Sequence, residues 1–511
     1  MQITFLGQAG IFAETRHGSV LCDPWFNPAY FASWFPFPSN EQLDHKLFAR
    51  PDYLYVSHMH HDHFDPMFFA DHVSKETKVL LPDYPLDSLE VALRRLGFHD
   101  FIRTTNCQPL QVGGLRFMIM ALVAPTDGPI GDSALVVDDG EVCILNQNDS
   151  RPVNMEALAR CGPYDGHFLQ YSGAIWYPMV YRFDQKLKDA LGRKKRRNQM
   201  ARAVRYIEEV GASFVFPSAG PPCFLDDELY HLNDFDRDPT NIFCDQTVFL
   251  EYLRGQGSEQ GRLAIPGSRI TLSPNGCEVV HPQADDEVAA IFTRKREYLD
   301  AYRSRKQPVI DAARAAWPRG GVDILASLKD WFEPLLEQAD LTCAGVNGRV
   351  LIDCGPKVVI DFVERRVHQW QGEVCRYKFH IDQALIESCI LTHEVDWVNE
   401  LFLSCRFEAE REGKFNEYVY NFFKGLSAER LQYAEGYYSE QAPVQELWEC
   451  QGYMVQKRCP HLKADLSRFA EVEDGVLTCT MHGWQFELAT GRCLTSDDRR
   501  LYTRPVEGGQ D

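Results

Sequence analysis

Two groups of metal-binding residues, one near each end of the chain, constrain what it can fold into more than any other feature. The run His58-Met59-His60-His61-Asp62-His63 places imidazole and carboxylate donors within six residues. Far downstream, Cys459-Pro460-His461 and Cys479-Thr480-Met481-His482 repeat a pair of one cysteine and one histidine. The first group suits a Lewis-acid or oxygen-activating metal, and the second suits an iron–sulfur cluster that carries single electrons. We therefore predict redox chemistry, and not hydrolysis, at the N-terminal site.

Length and charge exclude several classes of protein. A chain of 511 residues is too long for one hydrophobic core, so we expect about two to four domains. Its formal charge of -20 disfavours nucleic-acid binding, because lysine and arginine supply most of the affinity for phosphates. Met1–Gly7 lacks the features of a signal peptide, and there is no run of about 18 apolar residues. We predict a cytoplasmic protein that binds neither nucleic acid nor membrane and whose cysteines are mostly reduced.

The apolar pattern predicts three domains of different class. Over residues 1–290, the apolar pattern predicts an α/β domain with helices at Leu86–Leu96 and Asn198–Val210. Its predicted strands are Ile3–Leu6, Val20–Cys22, Tyr53–Val56, Val79–Leu81, Phe117–Leu122, Ala134–Val137, Val142–Leu145 and Phe214–Phe216. Residues 291–440 predict an α+β middle domain, and residues 441–511 predict a small all-β domain. In the middle domain, we expect helices at Arg294–Trp317, Ile324–Ala339 and Val398–Phe423 around a strand meander over Arg349–Phe379.

The C-terminal cysteines and histidines have the spacing of a Rieske cluster. Cys459-x-His461 and Cys479-x-x-His482 are separated by residues 462–478. In a Rieske [2Fe–2S] cluster, two thiolates bind one iron and two imidazoles bind the other. Zinc bound by the same four side chains is the alternative, although zinc fingers usually pair cysteine with cysteine and histidine with histidine. The absence of further cysteines beside these pairs resembles the oxygenase or ferredoxin type of Rieske domain, which passes electrons to a nearby metal.

The N-terminal group is identified as the HxHxDH signature of the metallo-β-lactamase fold, an αββα sandwich. That resemblance implies that His58 and His60 bind one metal position, and that Asp62 and His63 bind another. Gly7–Gly10 and Asp23–Trp25 also resemble the opening of this fold. Asp149 follows the apolar run Val142–Leu145 and is the candidate bridging carboxylate. We expect His61 to be a bystander and Asp65 to cap a helix beside Pro66.

Two positions where this fold supplies further histidines lack them. Neither Leu122–Asp127 nor Phe216–Gly220 contains a histidine. Three interpretations remain open: a single metal, two iron ions with vacant positions, or replacement ligands from Asp127, Asp165 or His167. Iron with mixed histidine and carboxylate ligands and vacant positions is the usual arrangement for binding dioxygen.

The combination of domains resembles the cytidine monophosphate N-acetylneuraminic acid hydroxylase family, which also joins a Rieske domain to a metallo-β-lactamase-like domain. The segments that carry the resemblance are Leu115–Ile119, Asp132-Ser133, Ile144–Asp149, Arg151-Pro152, Ser172-Gly173, Tyr177–Met179, Arg193–Arg202 and Pro217–Gly220. Two departures are clear. The Rieske domain is N-terminal in that family and C-terminal here, and the loop Pro125–Gly131 is altered.

The resemblance implies a monooxygenase that hydroxylates or N-oxygenates a small polar metabolite, such as a sugar nucleotide or an amino-acid derivative. His58, His60, Asp62, His63 and Asp149 would hold one or two non-heme iron ions, and Cys459, His461, Cys479 and His482 would hold the cluster. Dioxygen is the expected co-substrate. Because no strand is followed by a dinucleotide-binding glycine motif, we expect a separate reductase or ferredoxin-like carrier to deliver electrons. The sequence does not decide whether electrons pass within one chain or between the subunits of a homo-oligomer.

Other interpretations remain. In the first, the chain is a zinc-dependent hydrolase whose Rieske domain only senses redox state. In the second, it is an electron-transfer protein with a vestigial N-terminal domain. The basic run Arg193–Arg197 would bind a substrate phosphate or carboxylate, bind an acidic electron carrier, or simply form a solvated helix start.

Overall fold

The computed structural model describes residues 1–439, 446–497 and 499–506, which form two compact units. The first unit contains Met1–Val123, Asp127–Trp317 and the short segment Asn399–Arg406. The second contains Ala124–Thr126, Pro318–Val398 and the described residues from Phe407 onward. The division into three domains stays a prediction, and its boundary at residues 440/441 lies outside the described residues.

The first unit is built from two mixed β-sheets and seven helices. Its elements in chain order are β1 Gln2–Gly7, β2 Gly10–Thr15, β3 Gly18–Cys22, β4 Tyr53–Tyr55, α1 Pro66–His72, β5 Lys78–Leu81, α2 Ser88–Arg95, β6 Phe101–Arg103, β7 Leu110–Val112, β8 Leu115–Leu122, β9 Asp132–Asp138, β10 Cys143–Asn148, α3 Met155–Cys161, β11 Gly166–Gln170, α4 Gln185–Val210, β12 Phe214–Ser218, α5 Gln246–Gly255, β13 Arg269–Ser273, β14 Gly276–Val280, α6 Asp285–Thr293 and α7 Lys295–Ala316. One sheet has the order β14-β13-β1-β2-β3-β4-β5-β6, and the other has the order β12-β11-β10-β9-β8-β7.

The two sheets pack face to face because alternate residues along their strands are apolar. In β8, Leu115, Phe117 and Ile119 point to the same face, and all three join one buried cluster with Val20 and Tyr55 of the other sheet. Each such side chain contributes roughly 1.5–3 kcal/mol when it is fully buried. Helices α1 and α2 cover the outer face of the first sheet, while α4 and α5 pack against β11 and β12 of the second. This arrangement confirms the predicted αββα sandwich.

Two local predictions in the first unit have different outcomes. Asp65 caps α1 as expected, since its carboxylate accepts a hydrogen bond from Phe68 N at 3.0 Å. The predicted start of α4 at Asn198 is wrong, because the helix begins at Gln185, where the Asp184 side chain caps it. The basic run Arg193–Arg197 therefore lies inside the helix and not at its start. Lysine and arginine are good helix formers, so the helix can include this run.

The second unit combines a helical layer, a five-stranded sheet and two small sheets. Its elements are α8 Ile324–Gln338, α9 Asp340–Val346, β15 Arg349–Asp353, β16 Lys357–Asp361, β17 Arg366–Gln369, β18 Tyr377–Ile381, α10 Gln383–Leu391, β19 Phe407–Arg411, α11 Glu417–Lys424, α12 Ala428–Ser439, β20 Leu447–Cys450, β21 Tyr453–Gln456, α13 Leu466–Phe469, β22 Ala470–Glu473, β23 Val476–Cys479, β24 Trp484–Glu487 and β25 Thr503–Pro505. The larger sheet has the order β17-β16-β15-β18-β19, and the small ones are β20-β21-β25 and β22-β23-β24.

The sequence misassigned parts of the five-stranded sheet. The predicted meander is wrong at β18, which crosses over to pair with β15 in parallel. The predicted helix over Val398–Phe423 is helical only at its two ends, Val398–Phe402 and α11, and is wrong between them. A π-helical turn ends at Phe402, Cys405 has a left-handed φ of 58°, and β19 then pairs antiparallel with β18. Residues in β19 alternate, with Phe407 and Ala409 buried and Glu408 exposed, which is the period of a strand and not of a helix.

Within the residues that the structure describes, none of the helices combines the length and apolar character needed to span a bilayer.

Arg406 anchors the segment Asn399–Arg406 in the first unit. The Arg406 side chain is only 2% exposed. Its guanidinium donates hydrogen bonds to Asp226 at 2.8 Å and to the backbone oxygens of Phe31 and Ala32 at 3.2 and 3.3 Å. We predict that Arg406→Leu lowers the free energy of unfolding by about 3–5 kcal/mol, because it removes one partner of a buried ion pair. Urea denaturation measures the loss, and limited proteolysis should show new cleavage within the segment.

The matched control is Arg305→Leu, which removes a cation paired with Glu41 at the surface. An exposed pair of this kind contributes at most about 1 kcal/mol. Equal stability losses in the two variants would contradict the anchoring role of Arg406.

Candidate metal centres

The predicted N-terminal ligands meet at the carboxyl ends of two strands. The loop after β4 carries His58 and His60, and Asp149 directly follows β10. His58 Nε2 lies 2.6 Å from His60 Nδ1 and 3.9 Å from Asp149 Oδ2. Donor atoms of these three residues lie within 4.8 Å of one another, a spacing that could hold a metal ion. His58 and His60, together with Asp62, His63 and Asp149, are called the histidine pocket below.

The other oxygen of Asp149 faces the remaining two ligands. Asp149 Oδ1 lies 3.5 Å from His63 Nε2, which lies 3.6 Å from Asp62 Oδ2. Both Asp149 Oδ1 and His63 Nε2 are buried, and neither has a hydrogen-bond partner in the part of the chain that the structure describes. Buried polar atoms are normally satisfied, so this pair fits a metal ion between them. The carboxylate of Asp149 thus stands between two groups of donors.

Charge compensation inside the histidine pocket is strong. Burial alone would lower the pKa of His63, but the carboxylates of Asp149, Asp62 and Asp23 outweigh it and raise this pKa to about 10. Burial would raise the pKa of Asp149, yet the surrounding imidazoles lower it to about 2. In His60, burial and the neighbouring His58 hold the pKa well below its usual range. A metal ion therefore competes with a proton at His63, whereas His60 is already deprotonated.

Residues behind the imidazoles determine which ring nitrogens face the pocket. Asp23 Oδ2 lies 3.1 Å from His63 Nδ1, and Ser57 Oγ lies 2.9 Å from His58 Nδ1. Asp132 Oδ1 lies 3.3 Å from the same nitrogen of His58. These partners leave Nε2 of both histidines directed at Asp149. Outer partners of this kind orient metal-binding histidines and raise their basicity.

Asp62 is held by two further side chains from the first strands and the loop that follows them. Gln8 Nε2 donates to Asp62 Oδ2 at 2.9 Å, and Tyr30 Oη donates to Asp62 Oδ1 at 2.7 Å. Gln8 lies in the segment Gly7–Gly10 that resembled the opening of the fold. One residue of this segment therefore has a clear role, because Gln8 orients the candidate ligand Asp62.

The segment Asn399–Arg406 supplies two contacts that the sequence did not predict. His60 Nε2 lies 2.7 Å from Asn399 Oδ1, which leaves His60 Nδ1 facing His58. His61 Nδ1 lies 2.9 Å from Glu400 Oε2, and the His61 ring stacks on Tyr30. His61 therefore points away from the pocket, as predicted for a bystander. Neither Asn399 nor Glu400 belongs to a recognisable metal-binding motif. Both lie within the segment Val398–Phe423, which the sequence predicted to be a helix.

The structure does not bring two of the proposed replacement ligands into the pocket. His167 lies on β11 and bonds the Gln147 side chain at 2.9 Å, and burial lowers its pKa to about 3. Asp165 precedes β11 and accepts a hydrogen bond from Cys143 N. Asp127 lies in the loop between β8 and β9, where its backbone oxygen accepts from Gly131 N. The carboxylate that contacts His58 from β9 is Asp132, which was quoted only within the family resemblance.

The four C-terminal residues lie on two loops of the small sheets. Cys459 and His461 follow β21, Cys479 ends β23, and His482 lies in the turn before β24. Both cysteines are fully buried. Burial and the neighbouring thiol of Cys479 raise the pKa of Cys459, while the backbone N–H groups of His461 and Leu462 oppose that rise. Hydrogen bonds to sulfur of this kind surround iron–sulfur clusters.

The orientation of His461 fits an iron ligand. Its Nε2 lies 3.2 Å from Glu417 Oε2, and its Nδ1 is buried without a hydrogen-bond partner among the described residues. The ring stacks on Trp484 and stands at 84° to the ring of His482, with centroids 4.9 Å apart. The residues present therefore fit a [2Fe–2S] cluster held by Cys459, Cys479 and the two histidines.

Glu417 is a second residue that the sequence did not predict. It begins α11, is buried, and forms ion pairs with both His461 and Arg499. Burial would raise the pKa of Glu417, but its bonds to His461 and Arg499 outweigh this and lower it. A carboxylate thus remains charged directly behind a candidate cluster ligand.

Comparison with known proteins identifies the family. Residues 443–502 match the model of the Rieske [2Fe-2S] domain, and residues 324–440 match that of the Rv3818-like, SCP2-like domain. The chain is 49% identical to "Putative Rieske 2Fe-2S iron-sulfur protein Rv3818" of Mycobacterium tuberculosis over 98% of this chain and 99% of that protein. It is 48% identical to a similarly named protein of Mycolicibacterium smegmatis, again over 98% and 99%. The chain belongs to this family of Rieske 2Fe-2S proteins.

Solved structures show weaker likeness to this Rieske protein. A metallo hydrolase, Igni18 from Ignicoccus hospitalis, is 14% identical with a TM-score of 0.36, covering 55% of this chain and 99% of its own. CmlA, a diiron β-hydroxylase from Streptomyces venezuelae, is 18% identical with a TM-score of 0.33, covering 55% and 54%. Scores this low establish no shared activity.

Asn399 offers a test of the histidine pocket in this Rieske protein. Asn399→Leu removes the acceptor for His60 Nε2 and keeps a side chain of the same branched shape, whereas Asn399→Asp keeps an acceptor oxygen. We predict that the leucine variant loses about 10- to 100-fold in metal affinity, the usual effect of removing an outer partner of a histidine ligand. Dialysis against graded chelator, followed by metal analysis, measures the loss. Retention of metal by the leucine variant at the wild-type level would show that Asn399 does not orient His60.

Glu417 offers a test of the cluster site. We predict that Glu417→Gln raises the reduction potential by tens of millivolts, because net charge near the cluster tunes its potential and an anion favours the oxidised form. A redox titration followed by electron paramagnetic resonance measures the shift. Glu471→Gln, which removes an exposed carboxylate from β22, is the control and should leave the potential unchanged. Equal shifts in both variants would rule out a specific contact with His461.

Proposed function

We propose that this protein is a Rieske-fed non-heme iron monooxygenase acting on a small polar metabolite. One observation carries the proposal: a single chain joins a Rieske domain to a buried pocket in which Asp149 lies between His58 and His60 on one side and His63 on the other. A hydrolase needs no electron carrier, whereas reduction of dioxygen needs one. The pairing of these two sites therefore favours oxygen chemistry.

In this proposal, His58, His60, Asp62, His63 and Asp149 hold one or two iron ions, and Cys459, His461, Cys479 and His482 hold the cluster. When bound, the cluster supplies single electrons and the iron supplies the capacity to bind and activate dioxygen. The chain's own contribution is orientation. Asp23 and Ser57 direct the rings of His63 and His58, and Asn399 directs His60. Burial keeps bulk water from the donors, because His58 and His63 have no exposed side-chain surface.

The overall reaction balances with an external reductant. Substrate C–H or N–H, dioxygen, two electrons and two protons give the hydroxylated product and water. The sequence contains no dinucleotide-binding glycine motif after a strand. A separate reductase or ferredoxin-like carrier is thus the proposed electron donor.

The substrate class follows from the resemblance to the cytidine monophosphate N-acetylneuraminic acid hydroxylase family and stays a prediction. The relatives reported above are named for their iron–sulfur domain and not for a substrate. A small polar metabolite, such as a sugar nucleotide or an amino-acid derivative, remains the proposal, and so does a cytoplasmic location.

Oxygen uptake by the reduced protein tests this function. Anaerobically reduced wild-type protein should consume dioxygen on mixing. We predict that Cys459→Ser abolishes reductant-dependent uptake by removing a cluster ligand while pocket metal is retained. His58→Ala with His60→Ala should abolish uptake while the cluster's electron paramagnetic resonance signal persists. Cys450→Ser changes a buried cysteine of the same domain that no metal site uses, and it should behave as wild type.

The zinc-dependent hydrolase is the outcome that would overturn the proposal. Zinc in the histidine pocket, hydrolysis of esters or phosphodiesters, and indifference of that activity to Cys459→Ser would together establish it. Absence of oxygen uptake with every chemical and protein reductant would likewise contradict a monooxygenase.

A further inference from the structure

One face of helix α4 presents polar groups that neither metal centre uses. Lys195, Gln199 and Arg202 are spaced by four and three residues, so they lie on the same face of the helix. Tyr206, one turn further, lies on that face and donates its hydroxyl to Pro152 O at 3.0 Å. This bond holds Pro152, and with it the adjacent Arg151, against the face. Arg151, Lys195 and Arg202 thereby form a cationic cluster, named here the α4 cluster.

The charges of the α4 cluster are not compensated at Lys195. Burial lowers the pKa of Lys195, the positive charges of Arg151 and Arg202 act in the same direction, and together they bring this pKa to about 7. No carboxylate opposes this, and among the described residues none forms a hydrogen bond or ion pair with the Lys195 ammonium. A partly buried ammonium without an opposing charge is unfavourable unless an anion joins it.

The neighbouring residue shows that this helix can pair its cations. Arg196 is buried and bonds Asp234 Oδ2 at 3.0 Å and Asn241 O at 3.2 Å. Its charge is thus satisfied from within the protein. Lys195 lies one position earlier and is turned about 100° around the helix, and it has no such partner in the described part of the chain.

A second and independent observation points to a ligand. Gln199 lies between Lys195 and Arg202 on the same face, is 3% exposed, and its Oε1 has no hydrogen-bond partner among the described residues. Buried side-chain amides are normally satisfied. Because the oxygen and nitrogen of an amide are assigned from their surroundings, this group can accept from a ligand hydroxyl or, turned over, donate to an anion.

One member of the α4 cluster, Arg151, lies close to the histidine pocket along the chain. Arg151 follows Asp149 by two residues, just beyond the carboxyl end of β10. A molecule that binds Arg151 would therefore be held near the residues proposed for the chemistry.

We propose that Arg151, Lys195 and Arg202, together with Gln199, bind an oxyanion, a phosphate or carboxylate group, carried by the substrate. The description of this anion as part of a substrate rests on the monooxygenase proposed above. The binding site itself does not depend on that activity.

Calorimetry with inorganic phosphate and with acetate, on the full chain carrying its metals, tests this site. Wild-type protein should bind at least one of the two anions, and the preferred anion distinguishes a phosphate group from a carboxylate group. Lys195→Met keeps the aliphatic stem and removes the charge, so it should weaken binding about tenfold, the effect of losing one charge-assisted contact. Lys186→Met removes an exposed cation from the first turn of the same helix and should leave binding unchanged. Failure of the wild type to bind either anion, or equal binding by Lys195→Met, would overturn the proposal.

Amine labelling of the wild-type chain gives a readout that does not depend on how a variant folds. At neutral pH, an amine-reactive reagent should modify Lys195, and the preferred anion should protect it while modification of Lys186 continues. Mass spectrometry of the peptides measures both sites. Modification of Lys195 that is indifferent to either anion would contradict the site.

The two proposals fail separately. Anion binding that depends on Lys195, in a protein that consumes no dioxygen, supports the anion site and contradicts only the monooxygenase. Oxygen uptake in a protein whose anion binding is unaffected by Lys195→Met supports the monooxygenase and contradicts the anion site.

Discussion

The largely buried carboxylate of Asp149, which lies between imidazoles on either side, makes the interactions on which the N-terminal site depends. A lone carboxylate at this depth would be strongly destabilised, and so would the protonated His63 that faces it. Each is tolerated because the other is present, as the opposite shifts of their pKa values show. Asp149 Oδ1 and His63 Nε2 nevertheless lie 3.5 Å apart, and neither has a hydrogen-bond partner among the described residues. This is the physical reason to regard the pair as a candidate metal site.

The αββα sandwich is the means by which these groups meet. Strands β3 and β4 run parallel and side by side, so Asp23 and Ser57, which follow them, reach the same place. Strands β9 and β10 of the other sheet bring Asp132 and Asp149 from the opposite side. Hydrophobic packing between the sheets sets the separation of the two groups, and the outer partners then set the ring orientations. The second unit repeats this logic, because Glu417 of α11 orients His461.

The sequence predicted what is encoded locally and missed what is encoded by tertiary contact. Spacing indicated the Rieske ligands, apolar periodicity indicated a layered α/β domain, and Pro66 indicated the cap at Asp65. The N-terminal ligand motif and the αββα sandwich came from the resemblance to the metallo-β-lactamase fold. Asn399, Glu400 and Glu417 could not, since each acts on a residue far away along the chain and carries no motif of its own. The strand Phe407–Arg411 was lost for a related reason: a short alternating segment between two helical ones is outweighed by its neighbours unless the adjacent strand β18 is known.

The most direct test of the account is the number of iron atoms per chain in anaerobically purified protein, counted by elemental analysis together with the integrated electron paramagnetic resonance signal of the reduced cluster. We predict iron beyond the two atoms of the Rieske cluster, located in the histidine pocket. Iron equal to the cluster alone, with zinc occupying the pocket, would contradict it.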